Sequence, residues 1–590
     1  MIATRLIIAI ASLLCVLAAP LATTAADAPA PPAVVYQPAG APADPKVPAQ
    51  WNRYHTHAEI TAFVQQLAAA HPENCQLRSL GKSYGDRDMW LLTISNFKHG
   101  NAADKPTFWI DGGIHANEIQ SVEVVLYTAW YLLEAYGRNP LVTRLLDERA
   151  FFLLPMLSPD SRDAHLQRPN TTHSPRSGQR PVDDDRDGLV DEDGADDLDG
   201  DGSITNMRIR DPNGRLIPHP KYPNLLIDAP ADEPGQYVAL GQEGLDNDGD
   251  GRVNEDSDGY YDPNRDWPWN WQPSYVQPGA SKYPLAILEN RMVADFIMAH
   301  PQIAGAQSYH NAGGMILRGP GAKDDRYDRA DIAVLDVIGK RGAEILPGYR
   351  YINIADDLYE VYGGEVDWFY AMQGVFTFTN ELFTGFNFFR KASEGFFGSD
   401  EDLHTFDRYL LFGGGIVPWH EVDHPLFGKV EVGGMTKNWV RQPPSFLLEE
   451  ECHRNMAFTL YHADQMPQVE VQSIEAKPLP GGLTEVTAVI ANHKVIPTHA
   501  AADVQHRITP PDRVAIAGPA IDVVLGLKSN DRFFRSSDEQ KRQPATLEFR
   551  SIPGMQAVYG RWIVRGAGPY TVTVVSPKGG RAERTSEPPK

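Results

Sequence analysis

At 590 residues the chain is longer than one domain; its net charge is −23, and nothing in it resembles a basic nucleic-acid surface. The charge is local: residues 181–201 hold eleven acids against one Arg, and residues 246–258 hold six against one Arg. No stretch is long and apolar enough to span a membrane.

Residues 1–26 carry Arg5, an apolar run over 6–20, and the small residues Thr23, Thr24, Ala25 and Ala26. This is the pattern of a secretory signal, predicting a secreted or periplasmic protein. Residues 27–48, rich in Ala and Pro, read as a linker. The globular part, placed at 49–465, opens with a helical pattern over 59–70 (Ile60, Phe63, Val64, Leu67). Short strands are expected at 77–83 and 90–95, and buried strands at 108–111 and 151–157, with an apolar helix over 119–136. A further helix is expected over 285–299 and strands over 304–310 and 375–381. This alternation predicts an α/β layer structure. Residues 158–277 read as a long irregular stretch that contains both acidic windows, with an acidic insert at about 181–258. From residue 466 to 590, short β-rich runs punctuated by Pro, Gly and Asn predict a small all-β sandwich. Cys75 and Cys452 are candidates for one bridge, too few for a disulfide framework.

The run Gly112-Gly113-Ile114-His115-Ala116-Asn117-Glu118 lies where a strand ends and a helix begins. A His and a Glu there point from the carboxyl edge of the sheet, where α/β proteins bind ligands, and both are ordinary zinc donors. His310 ends another predicted strand at the same edge. Asp262-Pro263-Asn264-Arg265 follows the acidic stretch, and its Arg suits bidentate grip of a carboxylate. Glu381 closes an apolar β run, a place where a carboxylate suits a general base.

Taken together, residues 51–460 resemble the zinc metallocarboxypeptidases of the carboxypeptidase A type. The most specific part is the interval from Tyr359 to Glu381, with Gly363-Gly364, Asp367-Trp368 and Tyr370 between. The resemblance implies a mixed sheet with helices on both faces and Zn2+ held by His115, Glu118 and His310. Asp262 matches the carboxylate that orients a ligand His. Asn264 and Arg265 match the pair that binds the substrate's terminal carboxylate, Tyr359 the mobile tyrosine, and Glu381 the general base. Val366 matches the floor of the pocket for the terminal side chain, with Glu365 beside it as an acid within possible reach. Arg176 is the best match for the oxyanion-polarising Arg, with Arg180, Arg208 and Arg210 as alternatives. The chain departs from the family at Ser158-Pro159-Asp160-Ser161 and at Asn311.

The acidic windows repeat one pattern. Asp183, Asp185, Asp187, Gly188 and Asp191 align with Asp246, Asp248, Asp250, Gly251 and Asn254, and Asp197, Asp199 and Asp201 form a shorter copy. Carboxylates at alternate positions followed by Gly are how a loop wraps Ca2+, and these eleven residues are the candidate ligands. Gly194 and Ser257 stand where an EF-hand has its Glu. The plainer reading is a solvated acidic run.

The function expected is a secreted zinc exopeptidase acting on the C-termini of peptides or proteins, with a neutral or apolar terminal residue. The alternatives are a peptidoglycan stem-peptide hydrolase of the same family and a calcium-stabilised adhesion or binding protein with a vestigial site. The ligand of the C-terminal domain stays open.

Overall fold

The computed structural model describes residues 39–257, 259, 261–392, 398–439 and 441–587. The expected export signal lies outside the described residues. No helix among the described residues is long and apolar enough to cross a membrane.

The chain first lays down β1 (Cys75–Lys82), β2 (Asp88–Ile94), β3 (Thr107–Gly112) and β4 (Ala150–Leu154). Then come β5 (Asn206–Arg210), β6 (Leu216–Pro218), β7 (Leu226–Asp228) and β8 (Tyr237–Gln242). Next are β9 (Ile303–Asn311), β10 (Met315–Arg318), β11 (Arg350–Asn353), β12 (Phe376–Leu382), β13 (Ile416–His424) and β14 (Gly428–Met435). Eight of these form one mixed sheet in the order β1-β2-β4-β3-β9-β12-β10-β11. Its centre is parallel: β4 with β3, β3 with β9, β9 with β12. Every residue of β3 and β9 is buried. Parallel strands are covered on both faces, so even their polar residues, among them Asp111, Gln307, Ser308 and His310, are buried.

The helix Ile119–Ala135 is buried along its whole length, lying between the sheet and the helix Ser445–Asp464. Its acids are paired accordingly. Glu123 accepts from Arg162 at 2.6 Å and from the ring of His55 at 2.8 Å, and Glu134 accepts from His71 at 2.9 Å. Such pairing is what a carboxylate needs away from water. On the other face, Trp109, Phe152, Phe296, Ile297 and Trp368 pack together. Each large apolar side chain removed from water contributes roughly 1.5–3 kcal/mol.

Two expectations are corrected. Residues 158–277 are not irregular throughout: β5 to β8 lie inside them and join β13 and β14 in a six-stranded sheet, β13-β14-β5-β8-β6-β7. Its long-range partners come from residues 416–435, so no local signal announces the pairing. Cys75 and Cys452 are both buried and unpaired; each serves as a small core residue.

After Val469, nine strands form two antiparallel sheets of five and four strands. Val486, Ile490 and Trp562 from one sheet meet Val514, Leu547 and Val572 from the other in a shared core. This part docks at the amino ends of the central strands. Lys578 Nζ donates to the carbonyls of Gln373 and Gly374, both at 2.8 Å, just before β12.

Candidate metal and substrate site

The carboxyl ends of β3, β9 and β12 converge on one cluster. After β3 the chain turns sharply through Gly112 and Gly113. A Cβ on Gly112 would lie 2.7 Å from the Ser121 carbonyl oxygen, and Gly113 has φ +67° with its Cβ position 2.9 Å from Val122. Only glycine fits both, and this turn delivers His115 and Glu118. Ser121 fixes it by accepting from the Gly113 N–H at 2.9 Å and donating to the Glu118 carbonyl.

His115 Nδ1 lies 3.0 Å from Glu118 Oε1, His310 Nδ1 lies 2.9 Å from Glu118 Oε2, and the two Nδ1 atoms are 3.0 Å apart. All three residues are buried. His115 Nε2 is 2.8 Å from Asp262 Oδ1. When Nε2–H donates to that carboxylate, Nδ1 is left as a lone pair facing another acceptor. Acceptors turned toward one another in a buried space are the donor set of a cation, and two imidazoles with a carboxylate suit zinc. Burial raises the Glu118 pKa, but His115 and His310 outweigh it and hold the group well below the usual range, in its ligand form. Asp262 is likewise held low, burial being outweighed by His115, Arg265 and Arg176.

Glu381 is adjacent to His310 in register across β12 and β9. Burial and the charge of Glu118 push its pKa up to about 7. A cation held by His115, Glu118 and His310 would offset the second of these causes.

Of the four candidate arginines, only Arg176 reaches the cluster. Its Nη1 donates to Glu118 Oε1 at 3.1 Å and its Nε to Asp262 Oδ2 at 3.3 Å, while its backbone carbonyl accepts from the Ala116 N–H at 3.0 Å. Arg208 and Arg210 belong to β5 and pair with Glu431. Arg180 lies over the Tyr261 ring.

Asp262 also accepts from the Asn264 N–H at 2.7 Å, which fixes the turn carrying Asn264 and Arg265. Asn264 Oδ1 accepts from the Glu365 N–H at 2.9 Å, and its Nδ2 lies 3.5 Å from His310 Nε2. Arg265 donates to its neighbour's carbonyl at 2.7 Å and is 4.0 Å from Asp262 Oδ2. Tyr359 is 51% exposed. Val366 packs with Met315, Leu317, Ile354 and Val361, an apolar group. Glu365, beside it in sequence, is buried with neither carboxylate oxygen hydrogen-bonded among the described residues, and burial with the Asp111 charge raises its pKa well above the ordinary value.

Arg441 is a group the sequence did not mark. Its Nη1 donates to the Asn311 carbonyl at 2.8 Å and lies 3.4 Å from Glu118 Oε1, and Nη2 lies 2.8 Å from His173 Nδ1. It comes from the segment between β14 and the helix Ser445–Asp464, and a lone Arg there carries no motif. His173 and Arg441 also border a cavity of about 610 Å3, lined further by Thr171, Met207, Leu225 and Trp419. Met207, Leu216, Leu226, Gln242, Ile416 and Met435 of the six-stranded sheet line that cavity, and Arg441 joins its rim to Glu118.

In the acidic insert, Asp183, Asp185 and Asp187 gather, and Asp185 and Asp248 join further groups described below. Asp246 accepts from the N–H groups of Gly249 and Gly251, and Asp250 from that of Arg252. Asp197 and Asp201 shape the third copy in the same way, and Asp199 pairs with His420 at 3.0 Å. Asp191 Oδ1 accepts from the N–H groups of Val182 and Gly259, and the Asn254 amide donates to the Gln242 carbonyl. Those two side chains thus tie the loops to neighbouring backbone.

The zinc carboxypeptidase family (peptidase M14) matches residues 60–187 and 240–407. A domain of unknown function, DUF8731, matches residues 468–587. Carboxypeptidase A2 of Rattus norvegicus is 26% identical over 351 residues, covering 56% of this chain and 63% of the relative. Carboxypeptidase D of Mus musculus is 32% identical over 120 residues, covering 20% of this chain and 9% of the relative. The chain thus spans less than two thirds of these relatives. Among solved structures, thrombin-activatable fibrinolysis inhibitor aligns with a TM-score of 0.43 and 16% identity, over 70% of this chain and 77% of its own. Carboxypeptidase A of Helicoverpa armigera aligns with a TM-score of 0.39 and 20% identity, over 56% and 65%.

Proposed function

Because the chain belongs to the zinc carboxypeptidase family, we propose that it is an exported exopeptidase that removes the last residue from free C-termini of peptides or proteins. The observation that carries the reading is the convergence of His115, Glu118 and His310 on one point, with Glu381 beside them. Zinc bound there supplies Lewis acidity toward a carbonyl and acidifies water. The remaining N–H donors of Arg265, the Asn264 amide and the Tyr359 hydroxyl hold the substrate's terminal carboxylate. That contact fixes the register of the chain, so the last peptide bond is presented and inner bonds are not. Arg176 donates toward the carbonyl oxygen as negative charge develops. Glu381 takes a proton from the attacking water and returns it to the leaving amine.

The apolar group around Val366 favours a neutral, apolar terminal side chain, since a buried ammonium would need a paired carboxylate. The cavity beside His173 and Arg441 gives room for residues upstream of the scissile bond. We read the acidic insert as calcium-binding, with the ions ordering the segments that carry Arg176 and Asp262. Residues 1–26 direct the chain out of the cytoplasm.

The test is mass spectrometry of peptides incubated with the zinc-loaded protein. Free-acid peptides should lose single terminal residues, and the same peptides with amidated ends should survive. Cleavage at internal bonds, or of amidated ends at equal rate, would overturn the reading. Preferential cleavage of a peptidoglycan stem peptide would favour the murein alternative. A His115→Ala variant should lose bound zinc as well as activity while keeping its fold.

A further inference from the structure

The two longer acidic loops are copies offset by sixty-three residues, and the structure folds them alike. Gly188 and Gly251 have φ +102° and +93°, and Asp191 and Asn254 have φ +50° and +67°. Asp187 N–H donates to Asp185 Oδ1 and Asp250 N–H to Asp248 Oδ1, both at 2.9 Å.

The copies then meet. Asp193 and Asp256 form an antiparallel bridge. Around it the contacts are exchanged: Asp184 N–H donates to Asp256 Oδ1 at 3.1 Å, and Asn247, the residue equivalent to Asp184, donates to Asp193 Oδ1 from its backbone at 3.4 Å and its side chain at 3.1 Å. The outcome is an approximate two-fold pair of carboxylate groups. One is Asp185, Glu192 and Asp256; the other is Asp248, Glu255 and Asp193; Asp187, Glu192 and Asp248 form a further group that shares one member with each. In each group the ligand oxygens lie within 4.8 Å of one another. Each takes two acids from one loop and one from the other.

A second observation points to a ligand. Asp193 and Asp256 are fully buried. The Oδ2 atoms of both, Glu192 Oε2 and both Glu255 oxygens have no hydrogen-bond partner among the described residues. Buried carboxylate oxygens left without a hydrogen-bond donor are costly without a cation. All donors are hard oxygens, which select calcium over softer-ligand metals.

We propose that the insert binds two calcium ions at pseudo-equivalent sites built across the loops, Asp185–Glu192–Asp256 and Asp248–Glu255–Asp193. The proposal rests on the calcium reading of the insert and adds which acids share an ion. The consequence is mechanical. The first loop follows Arg176 within a few residues, and the second leads directly into Tyr261 and Asp262. Tyr261 Oη accepts from the Arg180 N–H at 3.2 Å, and Arg176 Nε donates to Asp262 Oδ2 at 3.3 Å. The ions clip together the two chain segments whose ends make that Arg176–Asp262 contact.

The test counts bound calcium by native mass spectrometry on the zinc-loaded full chain. Glu192→Gln and Asp256→Asn should each bind one ion fewer than the parent, and the double variant also one fewer. Glu192→Gln with Asp193→Asn, neighbours in sequence, should bind two fewer. Loss of a single ion in that neighbouring pair would overturn the cross-loop sites while leaving calcium binding intact. No calcium on the parent protein would remove the calcium reading as well. Unmutated protein gives the second measurement. Calcium should slow amide exchange at least tenfold in both loops over one concentration range, and should raise kcat while zinc content stays constant. Protection of one loop alone would overturn the proposal.

Discussion

His310 and Glu381 are register partners across the parallel strands β9 and β12. One sheet edge therefore presents the proposed metal ligand and the proposed base at neighbouring positions, on strands whose residues are nearly all buried. Glu381→Gln keeps shape and removes the proton acceptor. It should retain zinc and leave KM within a few-fold, while kcat falls by about 10²–10⁴, the usual worth of general base help. Steady-state kinetics with metal analysis checks this. A kcat within about tenfold of the parent would assign the proton to another group.

Arg441 and Arg176 both place a guanidinium on Glu118 Oε1, at 3.4 and 3.1 Å. With a substrate carbonyl present, either can turn a donor toward developing charge, and one such donor is typically worth about 10²–10³ in kcat. Arg176→Ala should show a loss of that size. Arg441→Ala, held also by the Asn311 carbonyl, should cost about tenfold. The zinc content of both variants should equal the parent's. A change confined to KM in Arg441→Ala would make it a binding residue for the upstream chain instead.

Most of this site was legible because its residues close strands or open a helix. His115, Glu118, His310 and Glu381 sit at such junctions, and a periodicity change marks each one in sequence. Asp262, Asn264 and Arg265 were legible from the family motif, although β5 to β8 separate them from Arg176. What stayed hidden depends on long-range pairing. Nothing near residue 206 signals that β5 will pair with β14. Arg441 enters the site only because the segment after β14 folds back across it. Glu192, Asp193, Glu255 and Asp256 fall outside the alternate-carboxylate pattern of a single loop and gather only where the two loops meet at the Asp193–Asp256 bridge.

Specificity tests the apolar group under the terminal side chain. Blocked dipeptides ending in Phe or Leu should exceed those ending in Lys or Arg by at least about tenfold in kcat/KM, since one apolar contact more or less is worth roughly 1–3 kcal/mol. Val366→Asp, beside Met315 and Leu317, should lower the apolar series and raise the basic one relative to it. Basic ends cleaved fastest by the parent protein would mean that the Glu365 carboxylate reaches the pocket.

The junction between the catalytic part and the C-terminal sheets should respond to alkaline pH. His499 lies 3.2 Å from Asp503 Oδ2 and 3.2 Å from Asp512 Oδ1, and Lys578 Nζ is 3.0 Å from the same Asp503 oxygen. Burial lowers the His499 pKa, but the two aspartates outweigh it and push it up to about 9. An unfolded His titrates near 6.5. The folded pKa is the higher one, so the stabilisation is fully present below about pH 6.5 and is lost as pH rises through about 9. Asp503 moves the opposite way: burial raises it, but His499 and Lys578 hold it below the ordinary range, so its share is lost only in acid. Between pH 6.5 and 9 the His499 effect stands alone of these two and is on the order of 2–3 kcal/mol at most. Melting of the C-terminal sheets should fall by several degrees across that window. His499→Gln should melt lower at pH 6.5 and show a flatter profile. A parent protein whose melting is level from pH 6.5 to 9 would mean that His499 is neutral in the fold.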